Sequence, residues 1–326
     1  MQFIDMHCDS LMKLMANPEN TDLYDSPVTS VDFKRMKEGG QMAQFFAIFM
    51  LPEEAWKMVD IDPVSDEDYI AGCRNILNKN LEKYAAFAAP AETASEIEAN
   101  YSSGKPSAVL TMEDGRAVLG KMENLERFYD MGVRAIALTW NYENCFGFPN
   151  SADAALMQKG LKPFGKEAVE YMQELGILVD VSHLSDGGFY DVADICRKPF
   201  VATHSNCRAL SPHQRNLTDE MIRILGDAGG VSGINFSPNF LNEDITAQAS
   251  TAFLMAKHAR HMADTGGIEC VGLGSDLDGI EGDLEVYDCA QLWRLEDALI
   301  KEGFSSSEIE KIFYKNVLRV MKDAIG

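Results

Sequence analysis

The feature that most restricts the fold is a series of short apolar runs: FIDMH, QFFAIFM, SAVLTME, VRAIALTW, ILVDVSH, FVATHS, GVSGINF and CVGLGSD. Each is too short for a helix and ends in turn-forming or polar residues, so each reads as a strand covered on both faces. Helical patterns lie between them. One begins near Ser65 with acids in its first turn, and others run over 117–129, 164–175 and 218–228. The last opens on a Ser305/Glu308 capping box and carries Ile309, Ile312, Phe313, Val317 and Val320 along one face. Eight buried strands alternating with helices in 326 residues predict an α/β chain, folded as one (β/α)8 TIM barrel over 1–326, with extra helices between the second and third strands. An open doubly wound sheet is the rival, but it calls for a glycine-rich phosphate turn after the first strand. The chain continues CDSLMKLM there.

Charge narrows the partners. A formal net charge of -22 argues against nucleic acid or an anionic membrane surface. No apolar run approaches the roughly 20 residues that a bilayer requires. No charged stretch followed by an apolar one precedes Phe3, so no signal peptide is expected. Seven cysteines, an odd number without C-x-x-C spacing, fit reduced thiols in core or loop positions, and the expected location is cytoplasmic.

In a barrel of this type, functional groups gather at the C-terminal ends of the strands. Here those ends carry His7 and Asp9, Glu113 and Asp114, His183, His204, and Asp276 and Asp278. One histidine at a strand end is usually a hydrogen-bonded structural residue. Six or more ionisable groups buried together cost several kcal/mol each unless a cation compensates them. His7 and Asp9, two residues apart, can grip one ion, while His183 and His204, from adjacent strands, can hold a second, with Glu113 between the two. Nitrogen and oxygen donors without thiolate suit zinc, with manganese or cobalt as substitutes. Such a pair acidifies a shared water and polarises a carbonyl, leaving Asp276 to move a proton.

Other residues admit two readings. Arg215 is either a surface ion-pair partner or a clamp for a substrate carboxylate. The aperiodic stretch 141–162 reads as a lid or binding loop, within which Asn141, Tyr142 and Asn144 are substrate-facing donors or ordinary turn residues. His258 and His261, at helical spacing without a third ligand, are expected on the solvated surface.

Several ordered segments also resemble the membrane dipeptidase (renal dipeptidase) family of zinc peptidases, peptidase family M19, whose barrel is of the metal-dependent hydrolase type. They are FIDMHCDS, GGQMAQFFAIF, TMEDG, KGLKPFGKEAVEYMQELGILVDVSHLS, VATHSNCRAL, PHQRNLTDEM, GLGSDLDG and KNVLRVM, and together they cover nearly the whole chain. The resemblance implies two Zn2+ ions, one on His7 and Asp9, one on His183 and His204, bridged by Glu113. It implies that Arg215 binds a substrate carboxylate and that Asp276 handles the proton as a hydroxide bridging the ions attacks. Trp140 stands where mammalian members carry a histidine, as in bacterial members, and with Asn144 it is expected beside the substrate. The implied activity is hydrolysis of a dipeptide with a free C-terminal carboxylate, L,D as well as L,L. Another small amide, such as an N-acyl amino acid or lactam, and an inactive metal-binding paralogue are the alternatives. Relatives suggest a homodimer. The family's secretion signal and lipid-anchor tail find no counterpart, so no membrane attachment is expected.

Overall fold

A computed structural model describes residues 1–52, 56, 59 and 61–326. Eight parallel strands form the barrel: β1 (Phe3–Cys8), β2 (Gln41–Phe49), β3 (Ser107–Glu113), β4 (Val133–Ala137), β5 (Leu178–Asp180), β6 (Val201–Ala202), β7 (Val231–Ile234) and β8 (Val271–Leu273). Their order around the ring is β2, β1, β8, β7, β6, β5, β4, β3, and β3 pairs back onto β2 over seven positions from Ala43↔Ser107 to Phe49↔Glu113. That last pairing closes the sheet, so the barrel has no open edge. A two-residue strand, Ala89–Pro90, lies beside the start of β3. The expected eight-stranded barrel is therefore present.

Local signals set the helices. Ser65 caps Asp66–Lys83, whose first turn holds Asp66, Glu67 and Asp68, and Thr93 closes a capping box on Ala94–Ser102. These are the extra helices between β2 and β3. The Ser305/Glu308 capping box is present, and the helical stretch it opens continues through a π-helical turn, Lys311–Lys315, to Ala324. The expected helix over 117–129 is split: a 3-10 turn, Gly115–Val118, precedes the helix Met122–Asp130. Leu119, left-handed at φ 55°, separates the two.

One apolar cluster draws on the strands around the ring, including Phe45, Val109, Leu178, Val201 and Val231, and is joined by Val317 and Met321 of the C-terminal helix. Along β3, Val109, Thr111 and Glu113 share one face by the two-residue period, so that face turns from apolar to charged toward the strand end. The filling thus lies low in the strands and leaves their C-terminal ends to polar groups.

Candidate active site

Side chains from five strand ends converge. Glu113 lies at the centre: Oε2 is 3.4 Å from His7 Nε2, while Oε1 is 2.9 Å from His183 Nε2 and 3.6 Å from His204 Nε2. His7 Nε2 also lies 3.5 Å from Asp9 Oδ2 and 3.7 Å from Asp276 Oδ1. Three overlapping groups offer ligand atoms within 4.8 Å of one another: His7, Asp9 and Glu113; Glu113, His183 and His204; His7, His204 and Asp276. The two halves share Glu113, one oxygen to each. Asp9 sits just past β1, at the start of the helix Ser10–Met15, and an irregular register between Asp5 and Cys8 accompanies its approach to His7.

The arrangement has the electrostatics of a cation cradle. His7, Asp9, Glu113 and His204 are at most 4% exposed. His183 Nε2 faces His204 Nε2 at 3.1 Å, although burial holds His183 near 4 and His204 well below its ordinary value, so both rings are neutral. Asn141 Oδ1 and Thr203 Oγ1 accept from Nδ1 of the two rings, so both Nε2 lone pairs face each other and repel unless something electropositive lies between them. His7 Nε2 and Asp9 Oδ1 are buried without a hydrogen-bond partner among the described residues. Burial, then Asp9 and Glu113, push Asp276 up to about 7 against the pull of His7. Against burial, the field of His7 comes first among the influences that hold Glu113 well below the usual carboxylate range. Nitrogen and carboxylate donors with unspent lone pairs fit divalent metal ions.

Supporting groups orient the ligands. Thr203 Oγ1 meets His204 Nδ1 at 2.8 Å and donates to the buried Asp180, whose other oxygen accepts Ser182 N at 2.8 Å and Thr203 N at 2.9 Å. This fixes the ring so that Nε2 points at Glu113. Asn235 Nδ2 donates to Asp276 Oδ2 at 2.8 Å, leaving Oδ1 toward His7. Asp5, below His7, accepts Ser275 N at 2.8 Å and Ser275 Oγ at 2.5 Å, stapling β1 to β8. Gly279 passes so close to Asp9 that a Cβ there would overlap its carboxylate. Asn235, Thr203 and Asp180 escape the sequence reading, although a polar residue inside an otherwise apolar run is a visible signal in each case.

Arg215 is 4% exposed and lies in the loop after β6. Nη1 donates to Ser205 Oγ at 2.5 Å, whereas Nε and Nη2 have no partner among the described residues. Its charge acts on His183 and His204, and Asp276 in turn works against the burial that lowers Arg215, so the surface ion-pair reading falls. Trp140 packs on Phe49, centroids 4.8 Å apart, and lies 5.9 Å from Tyr142 and 6.4 Å from His183.

Several expectations need correction. Asp114 and Asp278 stay out of the cluster. Asp114 caps the 3-10 turn and accepts Asn144 Nδ2 at 2.6 Å, while Asp278 accepts Ser10 Oγ at 2.5 Å and Ser30 N at 2.8 Å. Asn144 spends its amide group on Asp114 and the Leu138 carbonyl and accepts Phe146 N, so it is a turn residue without a donor to spare for substrate. His258 is 1% exposed: Nδ1 accepts Cys207 N at 3.1 Å and Nε2 donates to the Leu241 carbonyl at 3.1 Å. His261 is half-buried against Asp219. Stretch 141–162 contains a helical turn, Ala154–Met157, and buries Phe146, Met157 and Leu161, so it is packed down rather than a free lid.

Among the described residues, no helix is long and apolar enough to cross a membrane. The sequence model of the membrane dipeptidase family (peptidase family M19) matches residues 1–325. An uncharacterized dipeptidase of Schizosaccharomyces pombe is 31% identical over 309 residues, 92% of this chain and 73% of that protein. Dipeptidase tcpJ of Claviceps purpurea is 28% identical over 90% of this chain and 69% of its own length. A crystal structure of an M19 metallopeptidase, dipeptidase AC, superposes with TM-score 0.89 at 27% identity, covering 100% of this chain and 99% of that one. A metallopeptidase from Rhodobacter sphaeroides, liganded with a phosphinate mimic of the dipeptide L-Ala-D-Ala, gives 0.87 at 27% identity, with 99% of each chain covered.

Proposed function

The chain belongs to the membrane dipeptidase family of metallopeptidases, M19, and from that premise we propose that it is a two-zinc dipeptidase acting on L,L and L,D dipeptides with a free C-terminal carboxylate. The observation that carries the substrate class is Arg215, a buried guanidinium with two donor nitrogens unspent among the described residues and a charge that reaches the histidines of the cradle. A buried cation with free N–H groups is matched by a carboxylate, and a dipeptide supplies one a single residue from its scissile bond. His7 and Asp9 would hold one ion and His183 and His204 the other, with Glu113 shared. Ions held there would polarise the scissile carbonyl and acidify water.

The protein's own groups do the rest. Arg215 anchors the terminal carboxylate and fixes the register of the peptide bond. Asp276, gripped at Oδ2 by Asn235, keeps Oδ1 toward the cradle, takes the proton from the attacking water and passes it to the departing amine. Arg215 follows β6, and Phe49 ends β2, four strands away around the ring, with Trp140 packed on it. A dipeptide anchored at Arg215 therefore directs its N-terminal side chain toward that aromatic wall, which favours apolar residues there. The L,D reading draws support from the dipeptide mimic bound to the Rhodobacter relative.

Metal analysis of purified protein, alongside assays on L,L and L,D dipeptides, their C-terminal amides and N-acyl amino acids, tests this. Two zinc equivalents and turnover of dipeptides but not of their amides is the expected result. Preference for N-acyl amino acids would move the protein to another amidohydrolase activity, and zinc without turnover of any amide would mark an inactive paralogue.

A further inference from the structure

His183 is held in an unusual way. Among the described residues it is one of five non-glycine residues with positive φ, at 68°, a conformation that costs of order 1–3 kcal/mol and persists only where neighbours over-determine it. The neighbours come from stretch 141–162. Asn150 donates to the His183 carbonyl twice, through its backbone N at 2.7 Å and its Nδ2 at 3.1 Å. Pro149 and Leu184 form an antiparallel bridge, and Ser185 N donates to the Phe148 carbonyl at 3.0 Å. At the other end of the stretch, Asn141 Oδ1 lies 3.2 Å from His183 Nδ1. A carboxamide oxygen only accepts, so Nδ1 carries the hydrogen and the Nε2 lone pair is directed at Glu113.

We infer that stretch 141–162 is a fixed collar whose Asn141 and Asn150 position His183 as a metal ligand, Asn141 by setting the tautomer and Asn150 by holding the backbone. Phe146, fully buried beneath Gly115, and the Lys162 Nζ contact to the Asn144 carbonyl at 2.6 Å anchor the collar from below. Asn141 and Asn150 are positioning residues, since they meet His183 at Nδ1 and at its carbonyl and not at the Nε2 that faces Glu113. The inference rests on the metal-dependent reading above, and ion binding can be followed without substrate.

The test is titration of metal-free protein with Co2+, followed by its visible spectrum and by metal analysis, for the wild type, Asn141→Ala, Asn141→Asp and Asn150→Ala. The wild type is expected to take two ions. Asn141→Ala and Asn150→Ala should weaken one of them by about 10- to 100-fold, the usual cost of removing an outer partner, and leave the other unchanged. Asn141→Asp keeps the acceptor and should bind within about threefold of wild type. Asn141 is exposed, so its alanine variant keeps the question open to experiment even if Asn150→Ala unfolds. Two ions bound with wild-type affinity by Asn141→Ala would overturn the collar while leaving the dipeptidase reading intact. A wild type that takes no cobalt at all would overturn both.

Discussion

Asp276 differs from the other acids of the cradle in how its two oxygens are used. Asn235 occupies Oδ2, and Oδ1 lies 3.7 Å from His7 Nε2, the longest of the three carboxylate distances to that nitrogen. A group so held keeps its shape without being needed to complete either His7–Asp9–Glu113 or Glu113–His183–His204. Asp276→Asn should therefore retain both ions by metal analysis while kcat falls by about 10²- to 10⁴-fold, the range general acid–base catalysis supplies. Wild-type kcat in that variant would remove Asp276 from proton transfer. The same residues show what a strand-end rule can and cannot read. Placing His7, Glu113, His183, His204 and Asp276 at strand exits suffices to gather them, because a barrel brings every exit to one rim. It does not separate Glu113 from Asp114 or Asp276 from Asp278. Those pairs diverge because the side chains of Asp114 and Asp278 are claimed by Asn144, Ser10 and the Ser30 amide, and because Asp114, unlike Glu113, takes left-handed backbone.

At the scale of elements, strands were legible because burial on both faces leaves continuous apolar runs, and helix starts because Ser65, Thr218 and Ser305 each cap a first turn. The Ser305 cap sits on the surface, so Ser305→Ala should lower stability by about 1 kcal/mol in urea unfolding with unaltered turnover. Long-range seams were not legible, and His258 is the clearest case. Its spacing suits an exposed helix face, yet from helix Ala252–Gly266 it ties the loop carrying Arg215 to the Leu241 carbonyl. Burial, with a smaller push from His261, holds its imidazole at about 4, below the 6.5 of a free histidine. The unfolded chain then binds the additional proton between these values. The stability this histidine contributes is fully present above about 6.5 and is lost as the pH falls toward 4, at no more than about 3 kcal/mol in all. His258→Gln should accordingly show a smaller drop in urea midpoint from pH 7 to pH 5 than wild type. An equal drop in both proteins would assign the pH dependence elsewhere.

For the whole molecule the decisive balance is between a negative chain and a negative cavity. Asp and Glu outnumber Lys and Arg by 51 to 29, and the cradle adds three clustered carboxylates, Asp9, Glu113 and Asp276, to the low-dielectric rim of the barrel. The closed sheet cannot relax them apart, because β1, β3 and β8 are locked by the β2–β3 pairing and the Asp5–Ser275 staple. Ions bound to the folded chain alone stabilise it by mass action, about 2.7 kcal/mol per site when free metal is a hundredfold above its Kd. For a chain this size that corresponds to a melting shift of roughly 4 °C for one site. Protein stripped by a chelator and dialysed should therefore melt lower by about that amount per ion lost, and stoichiometric zinc, manganese or cobalt should restore it. Magnesium at the same concentration should not, since imidazole nitrogens are poor partners for so hard a cation. A metal-free protein with an unchanged melting point would mean that the folded chain tolerates its clustered acids without compensation, and the electrostatic argument for the cradle would fail with it.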